Sequence, residues 1–219
     1  MRPITERLGL PVDRAPRVLV AGAHADDAEI GAGGTLSRLL VERPDIAVMW
    51  LVLAAPEPER AAEARASAKR LMGGAAKLLI DVHTLRDGYL PYLGAEAKQV
   101  VAAHADGDPD LVLAPRRDDA HQDHRLTAEL MPQVFRRATI LEYEIPKWDG
   151  DLGPANLYVP LSNGEAESKV AHIIAAFGSQ SQREWFSEAT FRAVLRLRGI
   201  ECKAPDGAAE AFVCRKLVV

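Results

Sequence analysis

Apolar positions along the chain fall into short continuous runs, separated by stretches with helical spacing. Residues 17–23, 46–54, 78–85, 110–114, 140–145 and 156–160 are runs dominated by Val, Ile, Leu and Ala, several of them continuous enough for strands buried on both faces of a parallel sheet. Leu36, Leu39 and Leu40 mark a helix after the first run. Pro56 and Pro58 open a second helix, rich in Ala, Glu and Arg, that runs to Met72 and stops at Gly73-Gly74. Further helices are predicted over 95–105, 124–137, 165–177 and 185–199, with Pro132 expected to kink its helix or lie near a break. The pattern is lost over 146–154, a loop rich in Pro, Gly and Asp that carries Trp148, and residues 211–219 read as a last strand. This alternation predicts an α/β fold, three-layered and Rossmann-like, with a largely parallel sheet. Its active site should lie at the carboxyl ends of the strands.

Composition narrows this further. A chain of 219 residues suits one domain over 1–219 with a sizeable core. The net charge of −4 offers no basic footprint for nucleic acid and no polybasic membrane patch. The longest apolar run, Ile46 to Ala55, is too short to span a bilayer, so no membrane insertion is expected. Met1 to Arg17 lacks the apolar centre of a signal peptide, which points to a cytoplasmic location. Cys202 and Cys214 are too few for a disulfide framework. The apolar C-terminal segments around Phe177, Trp185 and Phe186 lead us to expect a homo-oligomer formed through that half.

Two polar clusters stand out because each follows an apolar run. The first delivers His24, Asp26 and Asp27 within four positions; the second is Arg117-Asp118-Asp119-Ala120-His121-Gln122-Asp123-His124-Arg125. His24 and Asp27 can reach one point from a tight turn, and His121 and His124 share a helix face if the helix starts near Gln122. Two histidines and a carboxylate with a fourth position open to water are a common make-up for a catalytic zinc site, which makes hydroxide available near neutral pH. Adjacent carboxylates do not easily bind one ion, which leaves Asp26 as a general base. If His124 is the ligand, His121 is free to donate a hydrogen bond to an oxyanion or leaving group, with Asp123 holding it charged and oriented. The plain alternative is that Asp26 and Asp27 cap a helix and that Asp118, Asp119 and Asp123 form a solvated helix start. The glycines at 31–34 lack the G-x-G-x-x-G spacing of a dinucleotide site and read as a close backbone approach at a turn.

The pair A-H-A-D-D at 23–27 and H-Q-D-H at 121–124 resembles the PIG-L/LmbE-like family of zinc-dependent N-acetylglucosamine deacetylases. Residues 28–36, Arg60 and Glu63 of R-x-x-E, Arg86-Asp87-Gly88 and Ser179-Gln180 are similar to the same family. The resemblance implies that His24, Asp27 and His124 bind zinc, with ferrous iron as the other candidate metal. It also implies that Asp26 is the base and that His121 with Asp123 assists the leaving group. Arg60 and Asp87 would contact sugar hydroxyls. The usual proline is Ala25 here, and Asp119 stands where some members of thiol pathways carry a tyrosine.

The remaining candidates have plain readings. His83, His104 and His172 read as structural histidines, and Arg65, Lys69 and Arg70 as a solvated face paired with Glu57, Glu59 and Glu63. Trp148 either stacks on a sugar face or simply packs. The expected function is therefore metal-dependent removal of an acetyl group from an N-acetylated sugar or sugar conjugate. A metal-dependent amidase acting on a non-sugar amide and a catalytically silent ligand-binding domain remain as alternatives.

Overall fold

The structure of the protein is a computed structural model that describes residues 3–218. Seven strands form one sheet: β1 (Arg17–Gly22), β2 (Ala47–Val52), β3 (Lys77–Val82), β4 (Leu111–Pro115), β5 (Thr139–Tyr143), β6 (Leu157–Leu161) and β7 (Ala208–Lys216). Their order is β3-β2-β1-β4-β5-β7-β6. Strands β1 to β5 are mutually parallel, and β7 runs antiparallel to both β5 and β6. The chain leaves β1 toward one edge through β2 and β3, then crosses back to place β4 on the other side of β1. Strands β1 and β4 therefore flank the point where the winding reverses, and the connections leaving their carboxyl ends part to open a crevice.

The α-helices are α1 (Ile4–Arg7), α2 (Asp27–Glu42), α3 (Pro58–Met72), α4 (Gly94–Ala102), α5 (Gln122–Val134), α6 (Asn163–Ala176) and α7 (Glu188–Glu201). The runs of Val, Leu and Ala in β1 are buried on both faces. Val18 and Val20 enter one core with Leu36, Trp50, Val170 and Phe177, while Leu19 and Ala21 enter the other with Val101, Leu130 and Met131. Helices α2, α3 and α6 thus cover one face of the sheet and α4 and α5 the other, which is the expected three-layer arrangement.

Several expectations from the sequence change in detail. The glycines at 31–34 lie inside α2, not at a turn. They do serve close approach: a Cβ on Gly31 would land in the Tyr143 ring of β5, and one on Gly34 would sit 2.6 Å from the Leu161 side chain of β6. Glycine costs a helix about 1 kcal/mol relative to alanine, and here that cost lets α2 lie directly on the sheet. Pro132 sits in the last turn of α5, near the break that ends the helix at Val134. The last helix starts at Glu188, because the Ser187 hydroxyl accepts the Thr190 N–H at 3.2 Å and caps it; Trp185 and Phe186 precede it. The last strand begins earlier than expected, at Ala208, and Val219 of its predicted range lies outside the described residues, as do Met1 and Arg2 at the start of the chain.

Phe177 and Phe186 are buried in the chain's own core, and Trp185, half-buried, packs against it. Two of the three residues named for self-association are thus packed within the chain itself. No described helix is long and apolar enough to cross a membrane.

Candidate metal centre

The first cluster forms where β1 ends and α2 begins. The α2 start turns Asp27 back on the chain, so that its Oδ2 accepts the His24 N–H at 2.8 Å. Its Oδ1 is left facing His24 Nδ1 at 3.7 Å and His124 Nε2 at 3.3 Å. His124 reaches this point from the first turn of α5, after β4, and its Nε2 lies 3.1 Å from His24 Nδ1. Three donor atoms from two crossover connections thus stand 3.1, 3.3 and 3.7 Å apart. Metal bonds of about 2.0–2.2 Å at tetrahedral angles place ligand atoms about 3.3–3.6 Å apart, so these three residues match the donor set of a zinc-type ion.

The electrostatics agree. Burial alone would lower the pKa of His24 and His124 and raise that of Asp27. The mutual attraction of these groups outweighs it: His24 lies well above the usual histidine value, His124 at about 8, and Asp27 well below the usual carboxylate range. Such a site is a seat for positive charge. Divalent metal binding would supply that charge while displacing the imidazole protons.

Further carboxylates flank the two histidines. His24 Nε2 lies 3.3 Å from Asp123 Oδ2 and 2.9 Å from Asp87 Oδ1. Asp123 is fully buried and held in place by the N–H groups of Gly88 and Leu90, at 2.7 and 3.0 Å. The carboxylate expected to hold His121 therefore faces His24. His121 is held instead by the backbone, its Nδ1 accepting the Asp123 N–H at 3.2 Å as the N-cap of α5. An accepting Nδ1 assigns the neutral tautomer with the proton on Nε2. Burial first, then the charges of His24 and His124, push the His121 pKa down, in keeping with a neutral ring.

On the far side of His124, Asp119 Oδ2 lies 3.0 Å from Nδ1, while Asp119 Oδ1 accepts the His121 N–H at 2.7 Å and meets Lys147 Nζ at 2.9 Å. Asp119 is buried, contrary to a solvated helix start, whereas Asp118 is exposed and paired with Arg116. In the sequence Asp119 stands out only as a departure from the family pattern and as part of a solvated helix start, and nothing there marks Lys147. A carboxylate two residues before the first histidine of the motif was the available signal for Asp119. Lys147 had none, because its partner is distant in sequence.

Asp26 does not cap α2 through its side chain. Arg60 of α3 donates to its Oδ1 at 2.7 Å, and its Oδ2 is buried with no hydrogen-bond partner among the described residues. The residue expected to touch sugar thus also grips the expected base. Glu63 accepts the Ser179 N–H and hydroxyl at 2.9 and 2.6 Å, so the R-x-x-E and Ser179-Gln180 stretches are one contact between α3 and the segment after α6.

These groups line a cleft of about 460 Å³ that brings together His24, Asp26, Asp27, Arg60, Asp87, His121, His124 and Trp148. Asp123 is the one predicted site residue behind its wall. Trp148 is 62% exposed, and Trp185, Gln180 and Arg183 complete the rim. A slightly larger groove, about 530 Å³ between α1 and β6, is mainly apolar, and its Arg38 and Glu165 are paired with each other.

The family model described as PIG-L, GlcNAc-PI de-N-acetylase, matches residues 19–135, which span both clusters and more than half of the chain. The chain belongs to the PIG-L family. Among solved structures, the conserved protein TT1542 from Thermus thermophilus superposes with a TM-score of 0.71 at 22% identity, over 92% of this chain and 95% of that one. The N,N'-diacetylchitobiose deacetylase from Pyrococcus horikoshii gives 0.67 at 22% identity, over 95% and 88%. GalB, the 4-carboxy-2-hydroxymuconate hydratase from Pseudomonas putida KT2440, gives 0.64 at 18% identity, over 93% and 98%. At these identities the structural likeness establishes the fold of this PIG-L chain alone, and the fold carries more than one chemistry.

Proposed function

We propose that this PIG-L family chain is a metal-dependent N-deacetylase that converts an N-acetylated sugar or sugar conjugate and water into the free amine and acetate. The observation that carries this reading is the unpartnered, buried Oδ2 of Asp26 beside three converging donors. A buried carboxylate oxygen without a partner is costly unless something fills the space in front of it. A divalent ion held by His24, Asp27 and His124, zinc by donor type with ferrous iron as the alternative, would polarise the amide carbonyl and lower the pKa of a neighbouring water.

The chain's own groups then take distinct tasks. Asp26 accepts the proton of the attacking water at Oδ2, and Arg60 fixes the plane of that carboxylate through Oδ1. His121, neutral with its proton on Nε2, donates to the carbonyl oxygen as negative charge develops there. Protonated Asp26 can return its proton to the departing amine, so that one carboxylate serves as base and then acid. Asp123 acts through His24 and Asp119 through His124, each orienting a ligand. Asp87, still 57% exposed in its side chain, and Trp148 stand at the mouth, where a sugar's hydroxyls and apolar face would lie. A silent binding domain would have no use for the free oxygen of Asp26.

Incubating the purified protein with N-acetylglucosamine conjugates, alongside simple N-acyl amines, and measuring amine and acetate tests this directly. Equimolar amine and acetate from the sugars, abolished by a chelator and restored by Zn2+, is expected. Turnover of the simple amides alone would move the assignment to a non-sugar amidase, and no acetate from any substrate would refute deacetylation.

A further inference from the structure

A second group of metal-type donors lies outside the crevice and plays no part in the proposed reaction. It is built on β3, an edge strand of the sheet. The His83 N–H donates to Val52 O at 2.8 Å, which extends the β2–β3 ladder one residue beyond the strand. Asp81 and His83, two apart on extended chain, therefore point to the same face. His104 arrives from the turn that follows α4. His83 Nε2 and His104 Nε2 lie 2.9 and 3.0 Å from the same oxygen, Asp81 Oδ2.

Two features distinguish this trio from the ion pairs elsewhere on the surface. Among the described residues no Lys or Arg pairs with Asp81, whereas Asp110 has Arg14, Glu165 has Arg38 and Glu142 has Arg215. Among the described residues the side chains paired with the Asp81 carboxylate are both imidazoles, which are common metal donors. The side chains also keep access to water, at 35% exposure for Asp81, 32% for His83 and 12% for His104. Three protein donors with an open side match a four-coordinate ion completed by solvent.

We infer that Asp81, His83 and His104 form a second divalent-metal site of zinc type, separate from the crevice, which clips the edge strand β3 to the turn after α4. Its two nitrogens and one oxygen select for ions that accept imidazole, such as Zn2+, Co2+ or Cu2+, over Ca2+ and Mg2+. It shares no residue with the His24, Asp27 and His124 centre. A bound ion there would tie together two segments of the chain that this hydrogen-bonded trio already brings into contact.

Zn2+ titration of chelator-stripped protein by calorimetry, with Co2+ absorption as a second readout, tests the site. The wild type should contain one binding event that His83→Ala and His104→Ala each remove and His124→Ala leaves in place. In the His124→Ala background the remaining event should disappear when His83→Ala is added. Each edge variant should lose part of the Zn2+-dependent rise in melting temperature while its metal-free melting temperature stays near wild type. His83→Gln, at a more exposed position, covers the case in which His104→Ala fails to fold. If no binding event in the wild type is sensitive to His83→Ala or His83→Gln, the trio is only a hydrogen-bonded cluster and the inference is overturned. Loss of every bound equivalent with His124→Ala would overturn it as well.

Discussion

Glu210 and Asp26 are both carboxylates that the fold has taken out of water, and they differ in how their oxygens are used. Glu210 of β7 accepts from Gly34 N, Thr35 N and Thr35 Oγ1 of α2 and meets Lys169 Nζ of α6 at 2.6 Å, so that both oxygens are occupied and the charge is neutralised. Asp26 has an equally strong partner in Arg60 on one oxygen and none on the other. Glu29 meets burial a third way: desolvation pushes its pKa up to about 8, so near neutrality it is carried mostly as the uncharged acid, beside the Ser67 hydroxyl. A saturated cluster ties elements together and has no capacity left for a ligand. An unsaturated one, set among three histidines, is where chemistry can happen.

The largest effect that would break this contrast comes from Asp26→Asn. It keeps size and shape but cannot take a proton, so kcat should fall on the order of 10²–10⁴, with metal content and melting temperature near wild type. Asp27→Asn should instead lose metal, with activity partly restored by excess Zn2+. Elemental analysis with turnover decides; a metal-free Asp26→Asn beside a metal-replete Asp27→Asn would exchange the two roles. Glu210→Gln should show the reverse profile. It leaves the Lys169 ammonium, 3% exposed, without its counter-ion, and should cost about 3 kcal/mol of stability while turnover of the folded fraction stays unchanged. Denaturant unfolding paired with kcat measures both.

Smaller effects sharpen the picture. Lys147→Met frees one side of Asp119 and so loosens His124. Metal affinity should drop about 10–100-fold, read by competition with a chelator, and Lys147→Arg should recover part of it. An unchanged affinity would make Lys147 a loop anchor only. The smallest effect belongs to Glu165, whose carboxyl Arg38 and the Ser162 cap hold at about 2 against burial. A depressed carboxylate stabilises the fold above its unfolded pKa, and that contribution is lost as pH falls from about 4.5 toward 2. After solvent screening it should amount to about 1 kcal/mol, and Glu165→Gln should flatten the acid limb of the stability curve by that amount.

Much of the molecule was legible in the sequence because the signals are local. Runs such as Leu111 to Ala114, buried on both faces, can hardly be anything but central strands, and spacings such as His24 to Asp27 and His121 to His124 are set by backbone geometry within a turn. The chain alone therefore determined the alternating α/β layers, the placing of both motifs at strand ends and the membership in one family of proteins. What it could not determine depends on which segments meet. The antiparallel insertion of β7 between β5 and β6, the turning of Asp123 toward His24 and not His121, the reach of Lys147 to Asp119 and the grip of Arg60 on Asp26 all join residues distant in sequence. So does the trio of Asp81, His83 and His104, in which each residue alone reads as ordinary. Propensity and periodicity act over one turn of helix or a few residues of strand, while the partner of a buried charge is set by the packing of whole elements. Only the tertiary structure could decide which oxygens were satisfied and which were left for chemistry.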